Sequence, residues 1–225
     1  MSSLLDSIQI IGVGLNILLI CLLLRGYFRD YSVLFFFNLI QPLIAIVELY
    51  MSFRGVSRGG TLYALVYWTC EVVWDLLLFI LVAVLIERVV EGNAQRALAR
   101  RILVIVATGA IILPFVLYSN RETFSTKWFQ GASQLFNLGA SLLNLVLWGA
   151  LIASRNRAHQ LLLVCAGMGI NVTGAAIQWG VRQLAQGGQY TVIRNAADVF
   201  AGLTYLMGLA IWCWAFRERR QAIPS

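Results

Sequence analysis

The sequence predicts an all-α protein, a bundle of seven transmembrane helices in one transmembrane domain, and three observations predict it. Sixty per cent of the 225 residues are apolar and only 12% are charged, too few charges to cover a soluble core of this size. The apolar residues gather in seven runs, approximately 4–24, 33–52, 62–86, 102–119, 132–153, 160–181 and 193–216. Each comes close to the roughly 20 residues that cross about 30 Å of hydrocarbon. The connections are short, which leaves residues 1–225 as a single domain.

Each run carries its own polar signature. The first is expected to remain a span, because it lacks a basic leading region and ends at Arg25 rather than at a small-residue cleavage site. It holds Asp6, Gln9 and Asn16, which share a narrow arc at about 100° per residue. Helix 2 holds Asn38, Gln41 and Glu48, and helix 3 holds Trp68, Glu71 and Asp75 on one side. Helix 4 is interrupted only by Thr108, Gly109 and Pro114 and is expected to face lipid over much of its surface. Helix 5 repeats the polar pattern with Asn137, Ser141 and Asn144. Asn171, Gly174, Gln178 and Arg182 mark helix 6, and Asn195, Asp198, Gly202 and Tyr205 mark helix 7. A polar side chain in hydrocarbon seeks a partner and turns into the bundle, so these stripes mark inward faces.

Orientation follows from the basic residues. The loops near 25–32, 87–101 and 154–159, with the final segment, carry eleven Lys and Arg, against six on the other side. This predicts a cytoplasmic C-terminus, an outside N-terminus and a multi-pass protein of the inner (plasma) membrane. The net charge of +7 is accounted for by these flanking residues, which lack the aromatic interleaving of a nucleic-acid surface. No nucleic-acid partner is expected. Arg96, Arg100 and Arg101 can touch anionic lipid heads or serve only as a topology signal, so membrane lipids are an expected partner.

Catalytic and cofactor chemistry find little to work with. The four cysteines, Cys21, Cys70, Cys165 and Cys213, all lie in spans without metal-ligand spacing. His159 is the sole histidine and falls in a cytoplasmic loop, which argues against two-histidine haem and intramembrane zinc. Serine chemistry lacks a base. Retinal attachment of the microbial rhodopsin kind needs a lysine in helix 7, and the sole lysine is Lys127 in an outer loop. No metal or cofactor and no enzymatic activity are expected. The nine residues from Arg217 to Ser225 are too few for an enzymatic output.

Depth then selects a candidate ligand site. With the N-terminus outside, Glu48, Gln178, Asn195 and Asp198 fall in the outer third, Glu71 lies deeper and Asp75 lies near the midplane. Together with Trp68 they can line an acidic, aromatic cavity open to the outside, or they can serve only as interhelical hydrogen bonds. Glu71 and Asp75, one turn apart, can hold a cation, relay a proton or act as neutral glue. For Asp198 the expected partner is Arg194, four residues earlier. Trp179, Trp212 and Trp214 fit the interfacial belt, whereas Trp68, Trp74 and Trp148 lie deeper.

A shift of 128 residues aligns Gln9 with Asn137, Asn16 with Asn144 and Arg29 with Arg157, and a shift of 127 aligns Glu71 with Asp198. A three-plus-one-plus-three plan, with helix 4 as linker, would explain both the offset and the apolar fourth span, and parallel repeats of this kind occur in transporters. Only Pro42 and Pro114 lie in spans, so the distributed proline hinges of sugar-permeating SWEET carriers are not visible. Glu87-Arg88 stands at the inner end of helix 3, as in rhodopsin-class receptors, without their proline motifs in helices 6 and 7.

The segment Tyr67-Trp68-Thr69-Cys70-Glu71, with its apolar continuation to Glu87-Arg88-Val89, resembles one in uncharacterised small seven-helix membrane proteins of soil bacteria, acidobacteria in particular. The resemblance extends to length, helix count and the aromatic-aromatic-x-x-Glu opening of helix 3, and it implies no activity. The leading expectation is a non-enzymatic protein that binds or senses a small-molecule ligand from outside. Such a protein passes its signal to a cytoplasmic or membrane protein partner through the 87–101 loop or through Arg217, Arg219 and Arg220. The alternatives are a small-solute or proton-coupled transporter and a structural subunit of a membrane complex. For the last, Gly167, Gly169 and Thr173 offer close helix contact.

Overall fold

The computed structural model describes residues 2–55, 60–90, 96–118, 125–153, 159–184 and 191–217. Among them seven helices follow one another: α1 (Ser2–Leu24), α2 (Ser32–Phe53), α3 (Thr61–Val89), α4 (Arg96–Leu117), α5 (Thr126–Ala153), α6 (His159–Leu184) and α7 (Thr191–Ala215). The described residues contain no strand. Six helices are long and apolar enough to cross a membrane, and α2 is apolar over Ser32–Val47. The chain is a multi-pass helical membrane protein.

Several helices outrun their apolar runs. α4 starts at Arg96 rather than near 102, and α5 starts at Thr126 rather than near 132. Hydropathy marks the hydrocarbon slab, whereas backbone hydrogen bonds continue the helix into the polar boundary. At α5 the start is fixed by a cap: the Ser125 hydroxyl accepts the Trp128 N–H at 3.3 Å. α1 stops at Gly26, whose φ of 142° suits glycine. The Leu23 carbonyl there accepts the N–H groups of both Gly26 and Tyr27.

The helices form two compact units, the first from Met1–Leu39 with Arg157–Ser225 and the second from Ile40–Asn156. In the first, α7 packs against both α6 and α1. The α6–α7 seam is made of small residues. A Cβ on Gly167 would lie 2.5 Å from Trp212 Nε1 and 3.0 Å from the Gly208 carbonyl, and one on Gly174 would overlap the Thr204 side chain. Close approach of backbones is how helices gain packing energy where lipid and core are equally apolar. Trp212 closes the end of the seam. It is fully buried, and its Nε1 donates to the Val164 carbonyl at 2.9 Å. Trp212 near this span end therefore packs between helices, whereas Trp214 is exposed. Nearby, Tyr27 and Tyr31 meet the Phe216 ring at 5.1 and 4.9 Å, tying the α1–α2 turn to the end of α7.

The second unit is built on α3 against α5, with α4 touching both. Buried Leu78, Phe79, Val82, Leu85, Ile86 and Val89 of α3, with Ala132, Phe136, Ala140, Leu143, Leu147 and Leu151 of α5, recur at helical spacing and form the packed faces. Most of α4 is exposed, as its sequence predicts. Trp148 is 40% exposed and lies off the buried Asn144–Leu147–Leu151 face, so it does not join the packed core. Each unit draws helices from both halves of the chain, and this division lends no support to a three-plus-one-plus-three repeat.

The seam yields a direct test. Gly167→Val forces α6 and α7 apart and should cost about 1–3 kcal/mol, as overpacking does, read as a lowered unfolding temperature in detergent. Gly149→Ala, with open space around its Cβ, should leave that temperature unchanged. Equal temperatures for both variants would refute the close seam.

Candidate functional site

The second unit holds the most buried carboxylate among the described residues. Asp75 is 3% exposed and faces α5, where Ser133 and Asn137 stand one turn apart and so share a face. The Ser133 hydroxyl donates to Asp75 Oδ2, and the Asn137 amide donates to Oδ1 at 3.4 Å. The same α5 face continues through Ser141, whose hydroxyl donates to the Asn137 carbonyl at 2.9 Å, to buried Asn144. Asn144 Oδ1 is buried with no hydrogen-bond partner among the described residues.

Glu71 is half-buried one turn before Asp75, near enough for its charge to act on that carboxylate. Trp68 is also half-buried and meets the Tyr67 ring edge-on at 5.3 Å, and Tyr67 stacks in turn with Tyr63 at 6.5 Å. The start of α3 is thus an aromatic approach to a pair of carboxylates. Side-chain oxygens dominate the centre: two carboxylates, a hydroxyl and an amide. Such a set can coordinate a small cation, accept hydrogen bonds from an ammonium group, or pass a proton along one helix face. The described residues contain no cluster of three or more His, Cys, Asp or Glu that could hold a metal ion.

The first unit holds a different arrangement. Asp198 Oδ1 accepts from Gln178 Nε2 at 2.9 Å and from Arg182 Nε at 3.1 Å, with Arg182 Nη2 also at 3.1 Å. The Arg182 guanidinium lies 5.9 Å from the Trp179 ring. Gln178 and Arg182 are one turn apart on α6, so a single carboxylate of α7 ties down that face. The partner of Asp198 is therefore Arg182 rather than the expected Arg194, which is exposed. A local pair along α7 would have left the Arg182 charge unmatched between the helices. Asn195 is half-buried one turn before Asp198.

The seven residues read from the sequence thus divide. Trp68, Glu71 and Asp75 lie in the second unit, while Gln178, Asn195 and Asp198 lie in the first. The Glu48 side chain falls outside the described residues, as do those of Asp6 and Arg96 and the residues Arg219 and Arg220. Sequence reasoning passed over Ser133, although it stands four residues before Asn137 on the same stripe. It also passed over the bond between buried Asn16 and Tyr205, whose hydroxyl accepts from Asn16 Nδ2 at 2.6 Å. Gln9 is exposed rather than inward, and no partner within α1 or α7 draws it in.

No protein family, curated protein or solved structure matches this chain. The geometry of the two polar centres is therefore the basis for assigning a function.

Burial ranks the two polar centres. Asp75→Ala strips two bonds from a dry interface and leaves Ser133 and Asn137 without their acceptor, a cost of about 1–3 kcal/mol. Asp198→Ala acts on a pair whose side chains are 34% and 23% exposed, so solvent screening reduces its cost to roughly 1 kcal/mol or less. Unfolding in detergent should order the variants that way, and the reverse order would contradict the assignment of Asp75 as the tighter centre.

Proposed function

We propose that this chain is a non-enzymatic multi-pass protein of the plasma (inner) membrane that binds or senses a small ligand, its N-terminus outside and its C-terminus cytoplasmic. The site is the Glu71–Asp75 centre, approached past Trp68. The observation that carries this reading is Asp75 itself, buried between two spans with each carboxylate oxygen held by a separate α5 side chain. An acidic side chain inside a membrane protein is costly, and such residues commonly mark ligand or ion pathways. The ligand class follows from the lining. Acceptor oxygens with a neighbouring indole suit a small cation, inorganic or organic, the latter also drawn to the aromatic face. Asp198, Gln178 and Arg182 satisfy one another and act as a brace between α6 and α7. The resemblance of helix 3 to soil-bacterial membrane proteins supports a bacterial setting.

A second reading, a proton-coupled carrier, is favoured by the one-turn spacing of Glu71 and Asp75, which is short enough for a proton to pass between them. The two readings part on transport. A carrier speeds the entry of tetramethylammonium, which has no permeant neutral form, into proteoliposomes when a pH gradient is imposed, and a sensor does not.

Binding is tested by thermal unfolding of the purified chain in sodium, calcium and methylammonium chlorides at matched ionic strength. At least one of these salts should raise the unfolding temperature of the wild type, by the equivalent of about 2.7 kcal/mol at a hundredfold excess over Kd. Glu71→Gln and Asp75→Asn should each abolish that rise. A wild type indifferent to all three salts, or variants that keep the full rise, would remove the support for this site.

A further inference from the structure

The second unit carries a basic and apolar surface that the proposed ligand site does not use. Arg100, Arg101, Val104 and Ile105 form one open, nearly flat patch on the surface of α4. The patch is apolar, so the arginines contribute their methylene stems and project their guanidinium groups beyond it, as snorkelling side chains do. Four residues separate Arg100 from Val104 and Arg101 from Ile105, so each charge stands roughly 6 Å along the axis from an apolar partner below it.

The charges are available. Arg101 is exposed and has no partner among the described residues. Among the described residues Arg100 meets only Glu87, at 3.8 Å, with the two side chains 72% and 37% exposed. An ion pair so long and so open contributes little. Beyond the arginines this face of the helix stays exposed: Val104, Ile105, Ile112 and Val116 are each more than half exposed. From Arg101 to Leu117 the helix runs roughly 24 Å, most of the depth of a bilayer's hydrocarbon.

We propose that this face of α4 binds an anionic phospholipid. Its phosphate sits between the guanidinium groups of Arg100 and Arg101, and an acyl chain follows Val104 and Ile105 down the helix. Charge complementarity selects the occupant. A zwitterionic lipid offers the same phosphate but sets its own cation beside two arginines, and a protein partner would have to match both an exposed charge pair and a long aliphatic strip. The placement needs only that the arginines stand at the boundary where the apolar run begins, so it holds for either leaflet. It is independent of the Glu71–Asp75 site.

Native mass spectrometry of the full chain, released from nanodiscs of equal phosphatidylglycerol and phosphatidylcholine, tests this. The wild type should retain phosphatidylglycerol in preference. Arg101→Gln should lower that preference about fivefold, and Arg100→Gln with Arg101→Gln further still, since a basic residue near an anionic surface is worth about that factor. Because Arg101 is exposed and unpaired, its single variant should fold as wild type does. Arg54→Gln, on exposed Arg54 just past the end of α2, should leave the preference intact. Excess inorganic phosphate should not displace the lipid. Equal retention of the two lipids by wild type, an unchanged preference in the arginine variants, or displacement by free phosphate would each overturn the proposal.

Discussion

Hydrocarbon offers a polar side chain no solvent, so each one inside the membrane must be met by another part of the chain. The contact between Asp75 and the α5 pair Ser133 and Asn137 is the strongest expression of that constraint here. It fixes which face of α3 meets α5 and sets the register of the two helices. The apolar faces on either side, from Leu78 to Val89 and from Phe136 to Leu151, then interlock as packing of that register dictates. The aromatic start of α3 is carried along with it, which places Glu71 one turn and Trp68 two turns before the buried carboxylate.

The first unit obeys the same constraint with other means. Its helices approach through glycine, with Gly167 against Gly208 and Gly174 against Thr204, and polar bonds are added at separate levels. Asn16 reaches Tyr205 midway along the helices, and Asp198 gathers Gln178 and Arg182 near the start of α7. Trp212 fills the far end and satisfies its own N–H on Val164. Dispersion and shape carry most of this unit, whereas a buried ionisable group organises the other. That difference is why the ligand proposal rests on α3 and α5.

Much of this was legible from residue order. Seven apolar runs gave seven helices, and the polar stripes turned inward: Asn16, Asn38, Asp75, Asn137, Asn144 and Asn171 are all buried. The poverty of polar residues in the fourth run matched an exposed α4. Spacing along one helix, however, reports a face and not the neighbour that meets it. Hence Asp198 was assigned the nearest arginine in sequence, Arg194, while the folded chain uses Arg182 from another helix. Ser133 was missed as the partner of Asp75 for the same reason, and because a serine inside an apolar run carries almost no hydropathy signal. Helix ends escape a hydropathy reading wherever helicity outlasts apolarity, and the place of Trp212 near a span end says nothing about the Gly167 cleft that receives it.

The ligand centre depends on a specific coupling between α3 and α5 through Asp75. A double-mutant cycle of Asp75→Ala and Ser133→Ala, followed by reversible unfolding in detergent, measures it most directly. A shared bond predicts that the combined loss departs from the sum of the single losses by about 1 kcal/mol or more. Additive losses, agreeing within roughly 0.3–0.5 kcal/mol, would mean that the two side chains do not meet, and the centre proposed to hold the ligand would not exist as described.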